Sequence, residues 1–245
     1  MPLRPRRLGF ALIATCLLAG APPASAAEGE ALLALAFARA EAAADLAQPY
    51  HYHMETRTRI SDGDDVLEQE ERAWVDAIQW GPDSTQILAE GKELIYNRKA
   101  KPGENLEEKD EAEDKGEKKE RKLELSFDFF TAERRADYRF EPGGLESRGD
   151  RELAVVALKP RAKRKELWAG KLWLEPATGA LAAAELKPAD GSFGVKHLDL
   201  TAELADHAGQ DLPRWIAMDL EVKLPLIVHK HIRTRAEFSP LAPAP

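Results

Sequence analysis

The chain has 245 residues, a single cysteine and a formal net charge of −8. An acidic chain of this kind is a poor candidate for nucleic-acid or anionic-membrane binding, so we expect neither. The length suffices for one large β domain, or two small ones, with a buried core.

The first 26 residues have the pattern of a secretory signal peptide. Three arginines precede an apolar run over residues 8–19, and Ala24-Ser25-Ala26 has small residues where a signal peptidase would cleave. The apolar run is shorter than the roughly 20 residues that a membrane anchor needs. We therefore predict cleavage after Ala26 and a periplasmic location. Cleavage removes the three arginines and changes the formal net charge from −8 to −11.

The only cysteine, Cys16, lies within this predicted signal peptide. Thr15 precedes it where a lipoprotein signal would have a smaller residue, so we do not expect lipidation. The mature chain would then contain no cysteine and no disulfide. This is typical of a bacterial periplasmic protein rather than of a small disulfide-stapled secreted domain.

The mature chain is predicted to contain one helix followed by about ten strands. Apolar residues recur at helical spacing over 30–48, and Pro49 ends that run. Beyond Pro49 the apolar residues alternate with a period of two, and turn residues occur at 61–64, 81–83 and 142–144. The predicted strands are 50–60, 66–80, 85–88, 94–97, one starting at 138–140, 152–159, 167–175, 180–187, 193–204, 215–224 and 229–238.

No alternation of strands and helices appears, so a parallel sheet is not expected. We predict a mainly β fold: one large, curved antiparallel sheet in the form of an unclosed half-barrel. The N-terminal helix is amphipathic and would pack on the concave face. The predicted domain covers 27–240 and is followed by a tail at 241–245, and we expect a monomer.

A charged segment over 99–122 interrupts the strands. It consists mostly of Lys and Glu and has too little apolar surface to fold, so we predict a disordered insertion. An electrostatic docking arm is the alternative. A solvated insertion is favoured because the two signs of charge are mixed throughout.

The hairpin over 170–188 has apolar side chains on both faces of its strands. Leu172 and Leu174 point to one face of their strand, while Trp173 points to the other. Neither face is clearly the one that meets water, so something must cover the second face.

The stretch 138–188 resembles the LolA-like superfamily of periplasmic proteins, which includes outer-membrane lipoprotein-sorting proteins and RseB-type sensors. Several short motifs carry the resemblance, together with the predicted signal peptide and first helix. They are Tyr138 and Phe140, Gly149, the apolar strand 153–160, the Trp-x-Gly-x-Leu-Trp-Leu strand 168–174, the Pro-x-Thr-Gly turn 176–179, and Glu185.

The resemblance implies a half-barrel with helices over its concave side, which holds an acyl chain between sheet and helices. The partner would be a lipid acyl chain or a lipoprotein, and the protein would be a carrier toward the outer membrane. An RseB-type regulatory module that docks an envelope protein partner is the alternative.

Aromatic side chains are the first candidates for lining an apolar cavity, although for each one a place in the core is the simpler interpretation. The candidates are Phe37, Trp74, Trp80, Phe127, Phe129, Phe130, Trp173 and Trp215.

Two His-x-His pairs are weak candidates for a metal site: His51 with His53, and His229 with His231. Each pair would project from one face of its strand, but no carboxylate or cysteine follows at a characteristic spacing. We therefore predict no metal and no cofactor. A metal-dependent hydrolase is the third and weakest functional hypothesis. The motifs of common hydrolases and nucleotide-binding proteins do not occur, so we predict a non-enzymatic protein.

Overall fold

A computed structural model describes residues 26–45, 49–79, 85–99, 127–191, 193–207, 209–224, 228–239 and 242–243. The predicted signal peptide, most of the predicted charged insertion and Trp80 lie outside these residues, and their predictions stay untested. The same applies to the division of the chain into domains.

One helix and eleven strands make up the described part of the chain, together with a short 3₁₀ helix at Arg134–Asp137. Their bounds are α1 Ala26–Asp45, β1 Tyr50–Asp62, β2 Leu67–Gln79, β3 Thr85–Asn97, β4 Tyr138–Arg148, β5 Arg151–Pro160, β6 Trp168–Leu174, β7 Leu181–Pro188, β8 Val195–His207, β9 Gln210–Leu224, β10 Val228–Phe238 and β11 Ala242–Pro243.

All eleven strands belong to one antiparallel sheet. Ten follow the order β3-β2-β1-β10-β9-β8-β7-β6-β5-β4, and the short β11 pairs with β1. Within the described residues the two end strands, β3 and β4, do not pair with each other, so the sheet stays open. The prediction of a mainly β, unclosed antiparallel sheet is confirmed.

Two local predictions about strands are wrong. The segments 85–88 and 94–97 belong to a single strand, β3, which pairs with β2 along its length and absorbs two register shifts. The predicted turn at 142–144 lies inside β4, where the pairing with β5 shifts between Pro142 and Leu145. A bulge accommodates Pro and Gly without ending the strand, since both residue types are common at such irregularities.

The helix α1 packs on one face of the sheet, which we call the helix face; the opposite face is the outer face. Leu32 and Ala36 are buried against strand residues, and the ring of Phe37 meets that of Phe140 edge-on at 5.5 Å. In the described part of the chain, no helix has the length and apolar character that crossing a bilayer requires.

The core is concentrated in one half of the sheet. We call β4 to β8 the closed half, and β9, β10, β1, β2 and β3 the open half. The largest fully buried side chains all come from 153–204: Leu153, Val156, Leu158, Leu167, Leu172, Leu174, Leu181, Leu200 and Leu204. Within the described part of the open half, only four side chains are buried: Ser61, Glu70, Ala77 and Leu212.

Strands β5, β6 and β7 of the closed half are buried on both faces of the sheet, which explains the two-sided apolar pattern of the 170–188 hairpin. Leu172 and Leu174 join the cluster beneath α1. On the outer face, Trp173 packs with Leu153 and Val155 in a second cluster, and only 3% of its surface is exposed. The Arg148 guanidinium lies 4.1 Å from the Trp173 ring, so a charged layer covers this cluster.

Candidate functional site

The helix face of the open half presents apolar and threonine side chains in rows that run across the strands. Strand pairing places Leu220 opposite Ile232, and Ile232 opposite Ile60. All three are half-buried. The cross-strand rows that follow are Met218–Thr234–Thr58, Ile216–Ala236–Thr56 and Phe238–Met54–Val75.

These rows form an extended surface that is uncharged over β9, β10 and β1; on β2 the second row ends at Glu71. Successive rows lie about 7 Å apart along the strands, so four of them extend for roughly 20 Å. At the far end, the rings of Tyr52 and Phe238 are 6.0 Å apart. Burial, reinforced by the neighbouring Tyr52, raises the pKa of Tyr50 to about 12, as expected for a phenol in weakly hydrated surroundings.

An ion-pair clamp fastens α1 to the β8–β9 hairpin, at the border between the two halves. The guanidinium of Arg39 donates to Asp211 at 2.9 and 3.1 Å, and its Nη2 lies 2.8 Å from Asp206. The second carboxylate oxygen of Asp211 accepts the backbone N–H of Leu181 at 3.0 Å. The clamp therefore joins the helix, the start of β7 and the start of β9.

The pKa values of the two clamp carboxylates are shifted in opposite directions. Burial raises the pKa of Asp211, although the N–H of Leu181 and the guanidinium of Arg39 act against the rise. Asp206 is more exposed, and the hydrogen bond from Arg39 lowers its pKa. Burial favours the neutral form of the Asp211 side chain, and the positive charge of Arg39 opposes this by stabilising the carboxylate.

The outer face of the open half carries a pocket of about 1000 Å³ that is lined mainly by charged residues. Five arginines and five acidic residues line it, so their charges balance. Glu70 is buried there and accepts a hydrogen bond from Arg57 Nε, while Arg59 lies 3.6 Å away. This lining suits polar groups and not an acyl chain, because hydrocarbon would desolvate the ion pairs.

The structure places four of the predicted aromatic candidates on the helix side of the closed half. Phe129 and Phe130 are buried, and Phe37 and Phe127 are partly buried against the same cluster. Phe130 stacks on Phe140 at 5.2 Å. These rings fill the space between helix and sheet.

Three tryptophan candidates lie on the outer face instead. Trp173 is the buried ring described above. Trp215 donates to Glu203 at 2.9 Å and lies under the guanidinium of Arg235 at 4.4 Å. Trp74 is half-buried and stacks on His53 with ring centroids 6.3 Å apart. The predicted aromatic residues are therefore not brought together on one surface.

The histidine pairs have different surroundings. His53 Nδ1 lies 2.7 Å from Asp76, and its Nε2 lies 3.5 Å from Glu55. His229 and His231 share the outer face of β10 with Glu221 of β9, and the ligand atoms of these three residues lie within 4.8 Å of one another.

The sequence patterns did not predict the Arg39 clamp, the apolar rows or the position of Glu221 beside His229 and His231. The alternation of apolar and polar residues over 215–224 indicated which residues share a face. It could not show that β10 pairs with β1, which is more than 160 residues away in the chain, and that pairing forms the rows.

No family model matches the chain, and no curated protein matches it. Solved structures do match it over most of its length. The LolA superfamily protein NE2245 from Nitrosomonas europaea is 12% identical, with a TM-score of 0.35; the match covers 89% of this chain and 94% of that one. The likeness indicated by the sequence is thus found again among solved structures.

Two other solved structures also match the chain. A domain described as an outer membrane lipoprotein-sorting protein from Vibrio parahaemolyticus is 13% identical, with a TM-score of 0.42, over 87% of this chain and 92% of that one. A chain from the MucA/MucB complex of Pseudomonas aeruginosa is 8% identical, with a TM-score of 0.26, over 89% and 99%. At these identities and TM-scores the function has to be inferred from this chain's own geometry.

Proposed function

We propose that this chain is a non-enzymatic periplasmic protein that binds the acyl chain of a lipid or lipoprotein. The ligand lies on the helix face of the open half, along the rows that include Met218, Leu220 and Ile232. The periplasmic location follows from the signal-peptide pattern of the first 26 residues.

The half-buried apolar rows are the observation that carries this proposal. A sheet face of this length normally packs on a second layer of structure, as the closed half does beneath α1. In the described residues α1 lies against the closed half, and the rows of the open half stay half-buried. Covering these rows with the hydrocarbon of a ligand would stabilise the complex by roughly 25 cal/mol for each Å² of apolar surface removed from water.

The first test is native mass spectrometry of the mature protein, purified without detergent, followed by organic extraction. We expect extra mass that corresponds to a phospholipid, a fatty acid or a lipidated protein. A protein that is empty, and remains empty after incubation with phospholipid vesicles and fatty acids, would contradict the proposal.

Neighbouring residues of β9 provide a matched pair of variants. Strand alternation points the side chain of Met218 toward the apolar rows and that of Ala217 toward the outer face. Met218→Glu should abolish most of the bound lipid, because a carboxylate would be desolvated by the ligand. Ala217→Glu adds the same charge to the other face and should retain the lipid, as should Met218→Leu. Equal lipid loss in the two Glu variants would show that the ligand does not lie on the helix face.

Docking of an envelope protein is a second candidate function, and the end strand β3 favours it. Ile87 and Leu88 of this strand are 55% and 51% exposed. An unpaired edge with exposed apolar side chains can accept an added strand from another protein. A lipid-free protein in the test above would favour this function.

A further inference from the structure

We propose that Glu221, His229 and His231 form a binding site for a divalent transition-metal ion of the Zn²⁺ type. The site lies on the outer face of the open half. It is therefore separated by the sheet from the proposed acyl-chain surface and does not depend on that proposal.

The β9–β10 pairing brings the three side chains together. Glu221 lies directly opposite His231 in the ladder, and His229 projects from the same face two residues earlier. His229 Nε2 is 2.9 Å from Glu221 Oε1, and the two imidazole ring centroids are 5.3 Å apart. One ligand atom from each residue falls within 4.8 Å of the others. Small side-chain rotations can bring these atoms to the roughly 2.0–2.2 Å that Zn–N and Zn–O bonds require.

The residue types fit such an ion. Two neutral imidazoles and one carboxylate form a borderline-soft ligand set that suits Zn²⁺ and Cu²⁺ and is less suited to Ca²⁺ or Mg²⁺. Three protein ligands leave at least one coordination position for water. The carboxylate also offsets part of the ion's charge.

The turn between β1 and β2 closes one side of the site. The Gly63 backbone packs so closely on His229 that an added Cβ would lie 2.1 Å from its Nδ1. Asp65, from the same turn, has a carboxylate oxygen 3.9 Å from His231 Nδ1. The half-buried histidines are thus held between a strand and a turn, with a further carboxylate nearby.

The other histidine pair offers a contrast within the same face. The two carboxylates near His53 approach opposite ring nitrogens, at 2.7 Å from Nδ1 and 3.5 Å from Nε2. They cannot share one ion with that ring, because each nitrogen points in a different direction. His53 is therefore a matched control: an imidazole paired with carboxylates but without a common centre.

Isothermal titration of the untagged mature protein with ZnCl₂ tests the proposal. We expect saturable binding of one ion, with higher affinity for Cu²⁺ as the Irving–Williams order requires. His229→Ala, His231→Ala and Glu221→Gln should each lower the Zn²⁺ affinity by at least about tenfold, since two ligands make a weak site. His53→Ala should bind as the wild type does.

Cobalt absorption of the wild-type protein gives a second measurement, in case the variants fold poorly. Co²⁺ bound by two imidazoles and a carboxylate should produce visible d–d bands, which ZnCl₂ then displaces. Absence of these bands, together with no Zn²⁺ binding below about 1 mM, would overturn the proposal. Equal loss of affinity in His53→Ala and His229→Ala would also overturn it, because the ion would then bind to histidines in general and not to the proposed three-residue site.

Discussion

The closed and open halves of this sheet are built from similar strands and differ in what covers them. In the closed half, β5, β6 and β7 are buried on both faces, by α1 and the phenylalanine cluster on one side and by the Trp173 layer on the other. In the open half, β1 and β10 are half-buried on one face and carry charges on the other.

If the proposed function is right, one continuous sheet separates stability from binding. Apolar surface removed from water on folding stabilises the closed half, whereas apolar surface left accessible in the open half remains available for a ligand. Continuous hydrogen bonding from β8 to β9 and from β9 to β10 fixes the open half on a rigid support.

The largest expected effect comes from two of the three outer-face tryptophans, Trp173 and Trp74. Trp173→Ala should lower the free energy of unfolding by about 3–5 kcal/mol, because it empties a buried site. Trp74 is half-buried over Gly91, so Trp74→Ala should cost about half as much. Urea denaturation of the two variants measures the difference, and equal losses would contradict the division into closed and open halves.

A smaller effect is expected from two glycines with positive φ. Gly179 has φ 70°, and a Cβ there would lie 2.6 Å from the backbone N of Ala36 in α1. Gly149 has φ 65° and open space around it. Gly149→Ala should lower the free energy of unfolding by about 1–2 kcal/mol through the left-handed backbone alone, and Gly179→Ala should cost more.

Thermal unfolding of both glycine variants tests this difference. The additional loss of melting temperature in Gly179→Ala, relative to Gly149→Ala, measures how tightly α1 packs on the closed half. Identical melting temperatures would mean that α1 moves away without cost. In that case α1 would not pack stably on the closed half.

The smallest effect is expected in the open half, at His53. The hydrogen bond that His53 Nδ1–H donates to the carboxylate of Asp76, supported by the nearby Glu55, raises the pKa of His53. The stabilising contribution of this pair is fully present below the unfolded-state pKa of about 6.5 and is lost as the pH rises through the folded-state pKa. Asp76→Asn should move the pKa of His53 down.

Proton NMR titration of the His53 ring measures this shift, with His197 as an internal reference in the same spectra. An unchanged pKa in Asp76→Asn would show that Asp76 is not the partner that sets it. Wild-type stability should decline slightly more than that of the variant as the pH rises above 6.5.

The sequence by itself determined the local architecture. Helical spacing over 30–48 and Pro49 predicted a helix that the structure places at Ala26–Asp45. Period-two alternation predicted most strands, and the lack of helix–strand alternation predicted an antiparallel sheet. These properties depend on residues close together in the chain, so a local pattern reports them.

Only the tertiary structure decided which distant residues meet. Pairing of β1 with β10 joins strands that are more than 160 positions apart in the chain and assembles the apolar rows. The clamp between Arg39 and Asp211 spans 172 positions. Pairing of β9 with β10 provides Glu221 as the third member of the His229 and His231 cluster. Strand order and register depend on the packing of the whole sheet, and no spacing within a single strand encodes them.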